Sequence, residues 1–463
     1  MDWIKVICFL ITTELFIFGL KFIEPLFFKL AIKATTLLNI LIDKELDEDE
    51  KQSQLLKNIG GVLSSTFIFL FCFIALILFA ISPLYINLYF QGELDTVINF
   101  FSFEALIGMA SSFGIHRAIR SRKKKQQSDY GNWSKLFHRI TLNNYNIGKF
   151  LFKSKTKKLK AKQKRDKVIV SGLARSGTSA FTQKLYESGK FSSLTYASVP
   201  FLMSPQTGIK LSGNSNKKQK ERAHGDKVMF GVNSTEALEE YFFKVMTNDR
   251  FIGEQELQEY SVSEGLANDY ENYLQLICKE SSTYLTKNNN FILRAKSHLE
   301  IDQQVKLILM VRNPLAQAES LLNQHLRFSQ IQEEDPFTLE YMNWLAHHEF
   351  GKGHKPFHLK HFDQVMAYES TDINHWLASW LNYYDYALQI AKKENTTIVI
   401  YEDFVEKPIE VFKSVSSKLG IELGAKTESK FKPSQYIDRA NLNEDLIQEC
   451  SKLYQKYVEL SRN

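Results

Sequence analysis

Lys167-Val168-Ile169-Val170-Ser171-Gly172-Leu173-Ala174-Arg175-Ser176-Gly177-Thr178-Ser179 joins a short β-branched run to a glycine-bounded loop. Val168, Ile169 and Val170 predict a buried strand, and Ala180, Phe181 and Leu185 fall on one face of a helix after the loop. A strand that feeds a glycine turn and then a helix aims several N–H groups and the positive end of the helix dipole at one point. An ordinary connection needs only the glycines. The cluster Arg175, Ser176, Thr178 and Ser179 around the second glycine therefore reads as a receptor for an anion.

The loop has the outline of a nucleotide-binding P-loop, G-x-x-x-x-G-K-[ST], in which the lysine reaches the β/γ-phosphates and the hydroxyl holds Mg²⁺. Gly172 and Gly177 keep the spacing, but Thr178 stands where the lysine belongs. The positive charge sits inside the loop instead, on Arg175. The expected ligand is an anion other than a metal-bound triphosphate.

At 463 residues, 44% hydrophobic and 13% aromatic, the chain can bury a sizeable core and exceeds one typical domain. Gly61 to Phe90 carries no charged residue and is long enough to cross a hydrocarbon core of about 30 Å as a helix. Trp3 to Leu20, interrupted only by Lys5 and Glu14, is a second candidate span. Val97 to Ile115 contains Glu104 and reads as an amphipathic interfacial helix. The expected organisation is a membrane region over 1–115 with two spans and this interfacial helix, a basic juxtamembrane linker over 116–131, and a catalytic domain over 132–463.

From His116 to Lys167 eighteen Lys or Arg face two Asp, about +16, whereas the whole chain carries +6. Such a tract beside a membrane region predicts a cytoplasmic catalytic domain and contact with anionic membrane lipids. Nucleic acid is not the expected partner. The acidic stretch Asp43 to Glu50 would lie between the spans on the opposite side. Cys8, Cys72, Cys278 and Cys450 are too scattered for a zinc site or a disulfide framework, in keeping with a reducing compartment for the soluble part.

A second strand, Val305 to Val311, ends in Arg312-Asn313-Pro314, with Ser320 eight positions after the arginine. Pro314 suits the first turn of a helix, which puts Ser320 about two turns in. An arginine at the strand end and a hydroxyl on the following helix can grip one phosphate between them.

Together the two segments resemble the sulfotransferases that use 3′-phosphoadenosine 5′-phosphosulfate (PAPS). In that family a strand–loop–helix of the form G-x-x-[RK]-[ST]-G-[ST]-[ST] holds the 5′-phosphosulfate, and Gly172, Arg175, Ser176, Gly177, Thr178 and Ser179 match it throughout. A later strand ending in R-[DN]-P, with a serine eight residues on, holds the 3′-phosphate, which matches Arg312 and Ser320. The resemblance runs from about Trp133 to the C-terminus. It implies a three-layer α/β fold with a mainly parallel sheet, strands near 168–171, 306–311 and 397–401, and ligand at their carboxyl ends. Trp376 and Trp380 precede the last of these, and Tyr401-Glu402-Asp403 looks like the Y-E-D-L segment of the same fold, packing the sheet end. The segments Ser193 to Pro200, Glu221 to Asp226 and Tyr341 to Gly351 look like a bacterial, carbohydrate-type branch.

The implied reaction moves a sulfuryl group from PAPS to a hydroxyl of a carbohydrate or lipid-linked acceptor at the cytoplasmic membrane face. Charge that grows on the leaving phosphate would meet Arg175, the loop N–H groups, Thr178 and the helix N-terminus. Lys287 looks like the second cation near the sulfuryl group, and Lys296-Ser297 competes for that role. No metal is required. For the general base His224 is preferred, with Asp226 as partner or substitute. Glu239 and Glu240 stand in reserve, on a helix where solvated carboxylates are the commoner meaning. Asn288 to Asn290 read either as sugar-binding amides or as a polar turn, and Arg439 is not assigned to the nucleotide. The rival readings are a P-loop kinase or other NTPase, with Ile398 to Asp403 as its acidic strand, and a non-catalytic membrane scaffold.

Overall fold

Strands that are apolar at nearly every position need cover on both faces, and a parallel sheet between helices supplies it. A computed structural model describes residues 3–43, 46–84, 107–112, 132–157, 159, 164–212, 220–221, 229–230, 235, 237–279, 282–422 and 442–462. The chain divides into two compact units, residues 1–140 and 141–463.

In the first unit, α1 (Trp3–Ile42) and α2 (Glu48–Ala80) run antiparallel as a hairpin. Lys33 Nζ donates to Gly61 O at 3.0 Å and to Ser65 Oγ at 2.9 Å, and Gly19 lies so close to Leu76 that a Cβ there would meet Leu76 Cδ1 at 2.0 Å. Both helices are long and apolar enough to cross a membrane. α1 runs past Leu20 to Ile42 through a stretch that is itself largely apolar, and α2 begins at Glu48, ahead of Gly61, because its polar end is helical as well. The acidic stretch is not simply a loop: Asp47 caps α2 by accepting from Glu50 N at 2.7 Å, and Glu48, Asp49 and Glu50 form its first turn, where the helix dipole favours carboxylates. Of the expected interfacial helix, only 107–112 lies among the described residues; these are helical, and Ser112 Oγ donates to Glu14 at 2.7 Å.

The second unit is built on five parallel strands, β1 (Lys167–Ser171), β2 (Phe191–Ser192), β3 (Thr283–Lys287), β4 (Val305–Val311) and β5 (Thr396–Ile400), in the order β2-β3-β1-β4-β5. Helix α3 (Thr178–Glu187) follows β1. Then come α4 (Glu240–Thr247), α5 (Glu264–Gln275), α6 (Ala295–Ile301), α7 (Pro314–Glu334), α8 (Ile373–Ala391), α9 (Tyr401–Glu406), α10 (Pro408–Leu419) and α11 (Glu444–Ser461). Side chains alternate across the strands. Val168, Val170, Ile308 and Met310 pack against Phe181 and Leu185 of α3, Phe404 of α9 and Phe412 of α10. Ile169, Leu307, Leu309 and Val311 pack on the other face with Trp376 and Trp380 of α8, Leu321 of α7 and Tyr457 of α11. The result is the expected three-layer α/β arrangement with a parallel sheet.

Lys167, last residue of the basic tract, is fully buried. Its ammonium pairs with Glu271 of α5 and with Asp302 at 2.7 Å, and donates to Arg165 O at 2.9 Å. This charge belongs to the interior, not to a lipid-facing surface.

Candidate active site

The loop after β1 is fixed from outside by side chains. Gly172 and Gly177 take positive φ, +155° and +94°, and both are closely approached: a Cβ on Gly172 would meet Met310 O at 2.6 Å, and one on Gly177 would meet Tyr401 Cδ2 at 2.5 Å. Between them Arg175 also adopts a left-handed conformation, φ 69°. Gln317 of α7 donates to Leu173 O at 3.0 Å and Ala174 O at 2.9 Å, and Arg312 Nη1 donates to Arg175 O at 2.9 Å. In a planar trans peptide C=O and N–H point opposite ways. Drawing the Leu173 and Ala174 carbonyls to one side therefore turns the Ala174 and Arg175 amides to the other, while Ser176 N donates back to Leu173 O at 3.2 Å. Trp380 Nε1 locks the clamp, donating to Gln317 Oε1 and Arg312 O, both at 3.1 Å.

Arg312 leaves the end of β4. The Asn313 side chain caps α7 by accepting from Ala316 N at 3.2 Å, with Pro314 in the first turn, and Asn313 N donates to Glu402 at 3.0 Å. The Arg312 guanidinium lies 4.7 Å from the centre of the Tyr401 ring, and its Nε is buried with no hydrogen-bond partner. Ser320 lies on α7, and its Oγ accepts from Arg175 Nε at 3.0 Å. Arg175 thus joins Arg312 and Ser320, more than 130 positions away in sequence, in one cluster at the carboxyl edge of the sheet.

A family model of the sulfotransferase domain matches residues 165–455, more than half of the chain. The chain belongs to the sulfotransferase domain family. Among solved structures, the sulfotransferase STF9 from Mycobacterium avium is similar at 12% identity, over 73% of this chain and 87% of that one, with a TM-score of 0.39. A sulfotransferase from Alicyclobacillus acidocaldarius is similar at 16% identity, over 65% and 95%, with a TM-score of 0.33. A search of curated proteins finds none that matches.

In this sulfotransferase Thr178 and Ser176 are buried, and Thr178 Oγ1 donates to Asn289 Oδ1 at 3.4 Å. Ser179 is half-buried in the first turn of α3. Lys287 ends β3, in register with Val170 of β1 and half-buried. Its competitor is placed differently: Lys296 is exposed on α6, and Ser297 Oγ accepts from Val262 N at 3.0 Å. His224, Asp226 and Arg439 lie outside the described residues. Among the described residues no group of three or more His, Cys, Asp or Glu is placed to hold a metal ion.

Glu239 and Glu240 depart from expectation. They are buried rather than solvated, because Arg294, itself buried, pairs with Glu240 at 2.8 Å and Glu239 at 3.6 Å. Asn288 Nδ2 donates to both carboxylates at 2.7 and 2.9 Å, and Tyr270 donates to Glu239. Burial raises the Glu239 pKa, and Arg294 opposes that rise. Asn288, Asn289 and Asn290 are equally buried and open a short 3₁₀ helix (Asn289–Leu293), a polar turn set in the interior. Sequence reasoning passed over Gln317. Its position, three residues after Pro314 and between Arg312 and Ser320, was the one available signal.

Proposed function

We propose that this sulfotransferase draws on PAPS and sulfates a hydroxyl of a carbohydrate or lipid-linked acceptor at the cytoplasmic face of a membrane. The observation that carries the donor is the Arg312 guanidinium, which lies over the Tyr401 ring and holds an unpartnered buried N–H beside Arg175 and Ser320. A buried donor without a partner costs about 1–3 kcal/mol, and a phosphate oxygen would satisfy it. The residues therefore fit the nucleotide's 3′-phosphate. The amides of the first turn of α3 have no intrahelical acceptors and would face the 5′ anion, with Thr178 and Arg175 beside them.

The donor supplies an activated sulfuryl group when bound. Arg175, the loop amides and Lys287 would meet the charge that develops as the bridging oxygen departs, in a preorganised frame held by Gln317 and Trp380. For the membrane placement, the two long apolar helices of the first unit and the basic tract after them are the support. The carbohydrate-type acceptor rests on the segments 193–200, 221–226 and 341–351.

Adenosine 3′,5′-bisphosphate without Mg²⁺ should raise the melting temperature, by the equivalent of about 2.7 kcal/mol at a hundredfold excess over Kd, whereas Mg-ATP should not. Arg175→Ala should lower sulfate transfer on the order of 10² to 10³-fold. Stabilisation by Mg-ATP alone would overturn the donor. Labelled-sulfate transfer into fractionated cell-envelope lipids and polysaccharides identifies the acceptor.

A further inference from the structure

Arg312 and Asn313 share one peptide unit, and two side chains grip it from opposite ends. Trp380 Nε1 of α8 donates to Arg312 O at 3.1 Å, and Asn313 N donates to Glu402 Oε1 at 3.0 Å. The C=O and N–H of a trans peptide point opposite ways, so a partner at each end fixes its plane. That plane sets the direction in which the Arg312 side chain leaves the end of β4.

The helix that follows has no partner of its own for this N–H. Asn313 is the N-cap of α7, and the N–H of an N-cap commonly bonds to a Glu or Gln three residues on. That position is Ala316, which has no side-chain acceptor. Glu402 supplies the acceptor from α9, 89 positions away. The residue before it, Tyr401, places its ring 4.7 Å from the Arg312 guanidinium. The first two residues of α9 therefore hold Arg312 twice, at the guanidinium by the ring and at the backbone by the carboxylate.

Glu402 is itself held. Tyr454 of α11 donates to Glu402 Oε2 at 2.8 Å. Burial first, and then the Glu402 charge, push the Tyr454 pKa upward, so the phenol keeps its proton and remains the donor. With a partner on each oxygen, the carboxylate has one orientation. Its two effects on an anion bound at Arg312 have opposite signs. Through space a carboxylate repels a phosphate. Through Asn313 it keeps the arginine fork preorganised for that phosphate. We propose that Glu402 is a positioning residue for the sulfuryl donor, acting through the Arg312–Asn313 peptide to aim the guanidinium at the 3′-phosphate, with Tyr454 of α11 keeping Glu402 in place. This rests on the assignment of Arg312 to the 3′-phosphate above.

The test titrates the full chain in detergent with adenosine 3′,5′-bisphosphate and with adenosine 5′-phosphate, which differ only in the 3′-phosphate. The wild-type chain should prefer the bisphosphate. Glu402→Ala should lower that preference about tenfold, by weakening the bisphosphate and leaving the Kd for the 5′-phosphate within about twofold. Glu402→Gln keeps an oxygen for Asn313 N and loses the charge, so it should keep the wild-type preference within about twofold. Tyr454→Phe frees one carboxylate oxygen and should lower the preference about two- to threefold; it replaces Glu402→Ala if that variant fails to fold. An unchanged or raised preference in the folded alanine variant, or in Tyr454→Phe where that stands in, overturns the proposal and leaves only the repulsion through space. Equal weakening of both ligands also overturns it, since that is what a loosened sheet end would give. A loss in Glu402→Gln as large as in Glu402→Ala overturns the route through Asn313. A wild-type chain that binds both ligands alike overturns the 3′-phosphate assignment of Arg312 itself, and the role of Glu402 falls with it.

Discussion

Arg312 combines three features that seldom coincide: an aromatic face under its guanidinium, one N–H on the loop carbonyl of Arg175, and a buried Nε without a partner. Lysine keeps the charge but loses the planar fork and the stacking. Arg312→Lys should therefore weaken adenosine 3′,5′-bisphosphate about 10- to 100-fold, the equivalent of about 1.5–3 kcal/mol for a charge-assisted bond, as read by titration calorimetry. This residue was legible because its motif is local: strand, arginine, proline and serine fall within sixteen residues, Val305 to Ser320. Glu240 was not, because its partner Arg294 is 54 positions away and only the fold joins them. His298 was equally silent in the sequence. It is buried, neither ring nitrogen has a partner, and burial, with Arg294 and Lys167 nearby, lowers its pKa from 6.5 to about 3 against the pull of Asp302. Below the ordinary histidine value the unfolded chain binds a proton that folded His298 refuses. Stability therefore falls as pH drops from 6.5 towards about 3, by about 2 kcal/mol near pH 5 from this group. In urea titrations across that range, His298→Gln should show a shallower loss than the wild-type chain.

Whether a strand could be read from the sequence depended on how apolar its own residues are, not on its place in the sheet. β1, β4 and β5 are flanked by helices on both faces and carry continuous aliphatic runs, so their positions were readable to within a residue. β3 is also interior, yet it reads Thr283-Tyr284-Leu285-Thr286-Lys287, with threonines and a lysine among its apolar residues. Its Thr286 is buried all the same, and β2 is only two residues long. Neither offers a hydrophobic run. The segment after β3 is held by the cluster in which Asn288 and Arg294 clamp Glu239 and Glu240 at the start of α4. Removing one partner of a buried ion pair leaves a charge without compensation, which typically costs about 3–5 kcal/mol. Arg294→Met should lose about that much in urea unfolding. Glu239→Gln with Glu240→Gln in the same chain should recover part of it, because the uncompensated charge is then gone.

At the scale of the whole molecule, two features can hold the chain at a membrane, and they respond differently to salt. One is the basic tract, whose attraction to anionic lipid falls off over a Debye length of about 10 Å at 0.1 M salt and about 3 Å at 1 M. Part of its formal charge is already neutralised inside the protein, since Lys167 is paired with Glu271 and Asp302. The other is the pair α1 and α2, which leave Trp3, Phe18 and Phe22 of the first and Leu63, Phe67 and Phe71 of the second exposed. Each such side chain gains about 1.5–3 kcal/mol on leaving water, a term that salt does not screen. The full chain expressed in cells should therefore stay in the membrane pellet at 1 M salt and at alkaline pH, and leave it only with detergent. A chain starting at Thr141, the boundary of the second compact unit, should appear in the supernatant and still bind adenosine 3′,5′-bisphosphate. Release of the full chain by salt alone would assign the attachment to the basic tract and remove the two helices from the membrane.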